Sequence, residues 1–341
     1  ATGTGFRGSY SAVTGVQRLC FEQVSGSVVL TRVKVTTGLS PMSVVTVEGL
    51  VKNYGDLEAV KGVSFHVEAG EVFSILGPNG AGKSTTVEIL EGYRSKTAGS
   101  VSVLGYDPTD RSRTYRERIG IVLQETAVED SLTVSEAIST YGVMYPKRRN
   151  TDELIEIVGL EEKRDARVKS LSGGQRRRLE LALGIVGDPD LVFMDEPTTG
   201  FDPSARRQAW SIIENLTSLG KTILLTTHYM EEAQVLADRV AVMAGGLIVA
   251  EGTPESLGGR ETAATVISFN LDGQSFEEFP VPDAVVSENG RITVRSSTPT
   301  QTVYDITGWA VGRGIELVDL SISRPSLEDV YLELTGGLQD G

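Results

Sequence analysis

The residues GPNGAGKST, at 77–85, combine glycines, a lysine and hydroxyl side chains at a spacing that suits phosphate binding. They fit the pattern G-x-x-x-x-G-K-[ST], follow a short apolar run, VFSIL, and precede a predicted helix. Glycines let the backbone wrap closely around a phosphate. Lys83 would place its charge at the outer phosphates, and Ser84 would offer a hydroxyl to Mg²⁺. The predicted nucleotide-binding residues here are Gly77, Asn79, Gly80, Ala81, Gly82, Lys83, Ser84 and Thr85.

Two adjacent carboxylates follow another apolar run. In LVFMDEPTTGFDP, residues 191–203, the apolar residues predict a buried strand, and Asp195 and Glu196 stand at its C-terminal end. Ligands bind at that end of the strands in a parallel sheet, and neighbouring carboxylates are costly to bury there without a cation. Asp195 could hold Mg²⁺, directly or through water, and Glu196 could polarise the attacking water. The alternative is a strand end whose acids are simply solvated.

Polar side chains end two further apolar strands. Gln124 ends IGIVLQ, and its amide could touch the metal or the water; His228 ends TILLTTH and could donate a hydrogen bond to a γ-phosphate. Tyr54 follows the first predicted strand, and its ring could stack on adenine or could be an ordinary buried aromatic. The candidate catalytic residues are Glu196, His228 and Gln124, and the candidate metal ligands are Ser84, Gln124 and Asp195.

The segment KSLSGGQRRRLELAL, residues 169–183, places small uncharged residues before a basic helix. Free N–H groups at a helix N-terminus suit an anion, so Ser172, Gly173 and Gly174 form a second candidate phosphate contact. A flexible glycine turn is the plainer interpretation. For the arginines at 176–178 we favour a solvated helix face, with some of them pairing with acids.

These residues need strands and helices in alternation to bring them together. Strands are predicted at 72–76, 119–124, 191–195 and 222–228, with helices from about 82, at 203–218 and from 230, and a hairpin at 239–252. Such alternation indicates a parallel sheet with helices on both faces. The stretch from 131 to about 169 reads as mostly helical. Beyond 258, strands at 265–271, 291–296 and 315–322 and helices near 301–311 and 326–335 predict a small α+β module.

Composition narrows the functional classes. The chain has 341 residues and a net charge of −14, which argues against nucleic-acid binding through a general positive field. Its one cysteine, Cys20, rules out an intrachain disulfide and fits the cytosol, and no apolar run reaches 18 residues, so we expect no membrane span. Residues 1–41 are rich in Gly, Ser, Thr and Val and basic, and we expect a disordered extension, which is either a tag or over-extended start or a natural tail.

GPNGAGKST, Gln124, LSGGQ, MDEP and His228, in this order, resemble the ATPase domain of ATP-binding cassette (ABC) transporters over roughly 44–255. The resemblance implies an α/β P-loop fold with a mostly parallel core sheet, an antiparallel β subdomain and a helical subdomain at about 125–170. We expect this nucleotide-binding domain at 42–257 and a small α+β domain at 258–341. The family also implies ATP and Mg²⁺ as ligands, adenine stacking for Tyr54, water activation for Glu196 and a γ-phosphate contact for His228.

The resemblance also implies that LSGGQ faces the nucleotide of a second copy of the chain, in a homodimer that holds two ATP molecules. The residues expected to reach across this interface are Ser172, Gly173, Gly174, Gln175 and Asp202. The residue before Asp202 is Phe201, where leucine is common in the family. This exchange of one apolar residue for another casts little doubt on the assignment.

EGYRSKTAGSVSVLGYDP after the glycine-rich loop and RPSLEDVYLELTGG near the C-terminus resemble the daunorubicin-efflux type of export ATPase, linked to antibiotic resistance and multidrug efflux. That group pairs with a separate ABC-2-type permease. The chain would then lie on the inner face of the cell membrane and power export of a drug-like, antibiotic or lipid-like compound. The helical subdomain would contact the permease through Tyr141, Val143, Met144 and Tyr145, which core packing explains as well. An importer ATPase, or a soluble ABC factor acting on nucleic acid or ribosomes, stays open as an alternative.

Overall fold

The computed structural model describes residues 18–24, 27–33, 43–122, 128–259, 263–271, 279–282, 284–287 and 290–335. The chain divides into two compact units, 1–42 and 43–341. In the first unit, β1 (Arg18–Val24) and β2 (Ser27–Val33) pair antiparallel, with Arg18 opposite Val33 and Val24 opposite Ser27. These two strands lie in the segment for which the sequence led us to expect no regular structure.

The second unit contains the remaining strands and helices. The strands are β3 (Ser43–Tyr54), β4 (Leu57–Glu68), β5 (Val72–Leu76), β6 (Ala98–Val103), β7 (Ile119–Val122), β8 (Leu191–Asp195), β9 (Thr222–Thr227), β10 (Arg239–Ala244), β11 (Leu247–Gly252), β12 (Thr265–Asn270), β13 (Val285–Val286), β14 (Ile292–Ser296) and β15 (Val318–Ser323). The helices are α1 (Lys83–Leu90), α2 (Arg113–Arg118), α3 (Val134–Gly142), α4 (Thr151–Ile157), α5 (Gly173–Ile185), α6 (Pro203–Ser218), α7 (Met230–Leu236), α8 (Pro299–Arg313) and α9 (Leu327–Thr335).

The central sheet has the strand order β11-β10-β5-β9-β8-β7. All neighbours in it pair in parallel except β10 and β11, which form the antiparallel hairpin. Leu76 pairs with Thr227, and Asp195 pairs with Thr226, so the carboxyl ends of β5, β8 and β9 lie side by side. The predicted α/β fold with a mostly parallel core sheet is confirmed, and the sheet brings the candidate site residues to one edge.

Two apolar clusters cover the faces of this sheet, because successive strand residues point to opposite sides. Leu191 and Phe193 belong to the cluster beneath the antiparallel sheet β4-β3-β6, whereas Val192 and Met194 belong to the cluster formed with α3, α5 and α6. Both faces are therefore buried, as the continuous apolar runs of these strands require. The stretch predicted as mostly helical contains α3, α4 and short 3-10 turns.

The chain after 258 forms an antiparallel four-stranded sheet in the order β13-β14-β12-β15. One face of this sheet packs on α8, where Ile267 and Phe269 meet Ile306 and Trp309. α9 instead contacts α7, β11 and the turn at 257–259, which belong to or adjoin the central sheet. None of the helices in the described ranges is both long enough and apolar enough to cross a bilayer.

Candidate functional site

The loop between β5 and α1 depends on glycine at several positions. Gly80 and Gly82 have φ of +82° and +102°, a region that side chains with a Cβ rarely adopt. A Cβ on Gly77 would lie 2.2 Å from the carbonyl oxygen of Met243, and one on Gly82 would lie 2.6 Å from that of Ala59. The backbone is therefore folded tightly against two neighbouring strands, which leaves its other side for a ligand. Asn79, Gly80 and Ser84 are exposed on that loop, and Ala81 is buried beneath it.

Lys83 opens α1 and turns its side chain back into the loop. Its Nζ donates to the carbonyl oxygens of Gly77, at 2.8 Å, and of Pro78, at 3.1 Å. The residue is only 4% exposed, and its ammonium group lies 3.4 Å from Oε1 of Glu196. A buried ammonium group needs anionic or carbonyl partners. The oxygens of an incoming phosphate can take the place of these partners.

Ser84 and Asp195 meet at the adjoining strand end. The Ser84 hydroxyl donates to Oδ1 of Asp195 at 3.3 Å, and the Thr226 hydroxyl donates to the same oxygen. A hydroxyl and a carboxylate side by side suit Mg²⁺, which prefers oxygen ligands and takes most of the others from phosphates and water. No group of three or more His, Cys, Asp or Glu capable of holding a metal occurs in the part of the chain that the structure describes. The contact between the Ser84 hydroxyl and the Asp195 carboxylate fits a magnesium ion that takes its other oxygen ligands from phosphate and water.

Glu196 is held at the centre of the site by three side chains. Its carboxylate contacts Lys83, accepts a hydrogen bond from the Thr199 hydroxyl at 3.0 Å, and lies 3.3 Å from His228 Nδ1. Burial raises the pKa of Glu196, but His228, Thr199 and Lys83 together lower it more, so its pKa lies below its ordinary value. The backbone φ of Glu196 is +46°, a strained conformation that fixes the direction of the side chain.

His228 directly follows β9 and precedes α7 by two residues. Its ring lies 4.0 Å, centroid to centroid, from that of Tyr229, and the Tyr229 N–H donates to the Thr227 hydroxyl at 2.9 Å. His228, Lys83 and Glu196 thus form one contact group at the sheet edge. Gln124 lies outside the described residues, because β7 is described only as far as Val122.

Tyr54 lies at the end of β3 and is 39% exposed, so it is not an ordinary buried aromatic. Two cations flank its ring: Lys52 Nζ is 4.9 Å and the Arg94 guanidinium is 5.6 Å from the ring centroid. An accessible ring among cations suits an adenine base that carries phosphates.

The LSGGQ segment begins α5 with a capping box. The Ser172 hydroxyl accepts from the Gln175 N–H at 3.3 Å, and the Gln175 side chain accepts from the Ser172 N–H at 3.0 Å. Ser172 and Gly173 are exposed. This cap fixes the helix start and leaves the first helical N–H groups facing outward.

A cavity of about 440 Å³ at this helix start is lined by residues that include Gly173, Gly174 and Asp202. Asp202 also caps α6. A second cavity, of about 290 Å³, is lined by residues that include Gly77, Asn79 and His228. The two cavities share no residue, so the LSGGQ segment does not line the cavity at the glycine-rich loop of its own chain.

The arginines after LSGGQ correct one interpretation. Arg177 is buried, with Nε donating to the carbonyl of Pro197 at 3.0 Å and Nη1 to Glu180 at 2.9 Å. Arg176 pairs with Asp130 at 3.1 Å, and Arg178 donates to the carbonyl of Gly159 at 2.6 Å. The solvated face that we favoured is therefore wrong for Arg177, which ties α5 to the segment that follows Glu196.

Sequence reasoning missed the hydroxyls of Thr199 and Thr226 and the buried carboxyl of Glu91. Thr199 and Thr226 bond to the two candidate carboxylates, and their only sequence signal is the run of threonines beside each strand end. Glu91 ends α1, and burial, followed by repulsion from Asp195 and Glu88, raises its pKa to about 8. A glutamate after an apolar helix gives no such signal.

Known proteins match this arrangement. Residues 60–199 match the family described as ABC transporter, and residues 265–326 match the family described as ABC transporter domain-containing protein-like, C-terminal domain. The chain is 40% identical over 309 residues to Nod factor export ATP-binding protein I of Rhizobium meliloti (strain 1021), covering 88% of this chain and 90% of the relative. It is 39% identical to the daunorubicin/doxorubicin resistance ATP-binding protein DrrA of Streptomyces peucetius, covering 87% of this chain and 93% of the relative.

Solved structures agree with the fold. MJ1267, an ATP-binding cassette of an ABC transporter in its ADP conformation, aligns with a TM-score of 0.57 and 27% identity, covering 63% of this chain and 92% of that one. The structure of cbiO1 from Clostridium perfringens, part of the ABC transporter complex cbiONQ, aligns with a TM-score of 0.57 and 30% identity, covering 63% and 90%.

Proposed function

Because the chain belongs to the ABC transporter ATPases, as its near full-length relatives show, we propose that it powers export through a separate membrane permease. ATP binding and hydrolysis are the activity of this family. The observation that carries the assignment to this chain is the convergence of Lys83, Asp195 and Glu196 at one sheet edge. The export relatives support the direction of transport, and a drug-like, antibiotic or lipid-like compound is the proposed cargo.

The glycine-rich loop is the proposed phosphate cradle, and Tyr54 the proposed adenine platform. The proposed nucleotide-binding residues are Tyr54, Gly77, Asn79, Gly80, Ala81, Gly82, Lys83, Ser84 and Thr85. Ser84 and Asp195, with Gln124, would hold Mg²⁺, which neutralises charge on the outer phosphates when it is bound. The contact between Ser84 and Asp195 supports this pairing.

Glu196 is the proposed base for the attacking water. Its lowered pKa keeps the carboxylate ionised at neutral pH, so that it can accept a proton. Lys83 contacts both this carboxylate and the loop carbonyls. A phosphate that binds Lys83 would therefore remove one contact of Glu196. His228, beside Glu196, is the proposed hydrogen-bond donor to the γ-phosphate oxygens. Nucleotide binding would then free the Glu196 carboxylate from Lys83 in the same step.

The second phosphate contact is proposed to come from another copy of the chain. The LSGGQ helix start is capped, exposed and separate from the cavity beside its own glycine-rich loop. In a two-fold dimer each protomer would offer Ser172, Gly173, Gly174, Gln175 and Asp202 to the nucleotide of its partner. A symmetric dimer of this kind has two equivalent shared sites.

Mixing two inactive variants tests this sharing. Lys83→Ala removes the phosphate-contacting lysine, and Ser172→Arg blocks the LSGGQ helix start, so each pure homodimer should lose ATPase activity. A mixed dimer keeps one intact site, so an equimolar mixture should regain roughly a quarter of the wild-type turnover. A site built within one protomer predicts no recovery. Thermal unfolding of each variant confirms that both still fold.

The permease is proposed to dock on the region between β7 and α5. Val143 and Met144 are 69% and 64% exposed, whereas Tyr141 and Tyr145 pack against the apolar cluster beside α3. Exposed apolar side chains on a rigid support suit a partner helix. We expect Met144→Asp to abolish co-purification with the permease and to leave the ATPase activity of the isolated chain unchanged. Val235→Asp, at another exposed valine, is the matched control.

The proposed domain boundary lies near 258. It is supported by the separate four-stranded sheet and by the family match to residues 265–326. Docking on an ABC-2-type permease would hold the chain at the inner face of the cell membrane. Fractionation of cells with and without the permease tests this: the chain should leave the membrane fraction when the permease is absent.

A further inference from the structure

α9 packs beside the proposed hydrolytic site, although it lies more than 240 residues after the glycine-rich loop in sequence. Leu327 and Tyr331 on this helix are 1% and 8% exposed. They belong to one apolar cluster with Leu76, Ala233, Val240, Val242 and Leu257. The helix start is fixed by Ser326 and Asp329, whose side chains each accept the backbone N–H of the other.

This cluster touches the site through two chain segments. Leu76 is the last residue of β5, and the next residue, Gly77, donates its N–H to the carbonyl of Thr227 at 3.1 Å. Met230 begins α7, packs against the cluster, and is two residues from His228. The backbone on both sides of His228 is therefore tied to atoms that α9 supports.

Tyr331 and His228 also share a cavity. The cavity of about 290 Å³ beside the glycine-rich loop is lined by Leu76, Gly77, Pro78, Asn79, His228, Met230 and Tyr331. One wall is thus an aromatic ring from the C-terminal helix, and another is the imidazole beside Glu196. His228 therefore faces a space that Tyr331 bounds on the α9 side.

α7 is anchored on a second side as well. The carboxylate of Glu232 accepts hydrogen bonds from the Thr198 hydroxyl at 2.7 Å and from the Trp210 indole at 3.1 Å. Because α7 has only seven residues, anchors on two sides fix it as a unit. Loss of the α9 support would remove one of the contacts that hold its N-terminal end, next to His228, and leave those to β5, β9 and α6.

We propose that Tyr331 is a positioning residue for His228, so that the C-terminal helix sets the rate of ATP hydrolysis without touching the nucleotide. The inference rests on the proposed role of His228 in hydrolysis. Tyr331 acts by filling space beside Met230 and the loop, so its ring matters more than its hydroxyl. Under this proposal we expect the effect on kcat to pass through His228, with nucleotide affinity little changed.

A double-mutant cycle tests the proposal on the full chain. Tyr331→Ala is expected to lower kcat about three- to tenfold with the KM for ATP changed less than about twofold, and Tyr331→Phe to retain kcat. In a His228→Ala background, measured by sensitive phosphate release, Tyr331→Ala is expected to change kcat by less than about 1.5-fold. Leu332→Ala, on the same helix but 58% exposed, is the matched control and should behave as wild type.

The outcomes distinguish the proposed role of His228 in hydrolysis from the proposed positioning role of Tyr331. If His228→Ala alone leaves kcat unchanged, the proposed role of His228 fails. If His228→Ala lowers kcat but Tyr331→Ala lowers it equally in both backgrounds, or not at all, the positioning role of Tyr331 is overturned. Thermal unfolding of each variant distinguishes a general loss of structure, which would lower activity in both backgrounds alike.

Discussion

Lys83 Nζ lies 3.4 Å from Oε1 of Glu196, which pairs the cation proposed for phosphate with the carboxylate proposed for water activation. Both side chains are largely buried, so water screens the ion pair little. Binding of a triphosphate supplies Lys83 with new oxygens. Under the proposed function, we expect this ion pair to couple nucleotide binding to the freeing of the Glu196 carboxylate.

Glu196→Gln is expected to lower ATP turnover by about 10²–10³-fold, because the amide cannot accept the proton of the attacking water. ATP affinity should not weaken, since Lys83 loses a competing carboxylate. Sedimentation with ATP and Mg²⁺ should show a stable dimer. Glu214→Gln, at an exposed glutamate of α6, is the control and should turn over ATP normally. A Glu196→Gln protein that stays monomeric with ATP would contradict the shared site.

Tyr54→Ala should weaken ATP binding about tenfold, because base–aromatic stacking contributes about 1–3 kcal/mol. Tyr54→Phe keeps the ring and should bind as wild type. Calorimetry of the two variants measures the difference. Tyr304→Ala, at an exposed tyrosine on α8, controls for the loss of any surface ring. Equal affinity of the Tyr54→Ala and Tyr54→Phe proteins would remove Tyr54 from the adenine site.

Gly77→Ala should destabilise the chain by about 2–4 kcal/mol and abolish nucleotide binding, because its Cβ would lie 2.2 Å from a backbone carbonyl of β10. Gly308→Ala is the matched control: this glycine lies inside α8 with nothing within 4 Å of an added Cβ. Alanine is the better helix former, so this variant should gain roughly 0.5–1 kcal/mol. Urea unfolding measures both, and a Gly77→Ala chain as stable as wild type would exclude the close approach.

Glu91 should make stability fall as pH rises. Its pKa is raised from the ordinary 4.5 to about 8, so between these values the folded chain holds a proton that the unfolded chain has released. The free energy of unfolding therefore declines across this window and levels off above about 8. Glu91→Gln mimics the protonated form and should be more stable than wild type at pH 8.5 by about 1–3 kcal/mol.

Urea unfolding at pH 6 and pH 8.5, in the presence of a chelator, tests this difference. Glu58→Gln, at an exposed glutamate of β4, should keep the wild-type slope. An unchanged slope in Glu91→Gln would show that another group titrates in this window.

The sequence predicted the central sheet closely. The observed bounds of β8 and α6 are those expected, because an uninterrupted apolar run and an Asp-Pro helix start are strong local signals. The meeting of Lys83, Ser84, Asp195 and Glu196 followed from one rule, that parallel strands end at a common edge.

Other features depend on contacts between distant segments, which no local pattern encodes. The burial of Arg177 depends on its contacts with the Pro197 carbonyl and Glu180. A run of arginines in the sequence does not reveal these contacts, so it predicts an exposed helix face. Tyr331 and Leu76 belong to one apolar cluster although they are far apart in sequence. The role of Gln124 stays a prediction, as does the domain boundary near 258.

The cavity beside the glycine-rich loop has a consequence for inhibition. Phosphate-binding loops are alike across many ATPases, so compounds that compete with ATP discriminate poorly among them. The cavity has a further wall that does not belong to this loop, because Tyr331 comes from α9 near the C-terminus. A small molecule seated between His228 and this tyrosine would touch both the imidazole proposed for hydrolysis and the C-terminal helix, which makes the cavity a starting point for blockers that do not depend on the phosphate-binding loop alone.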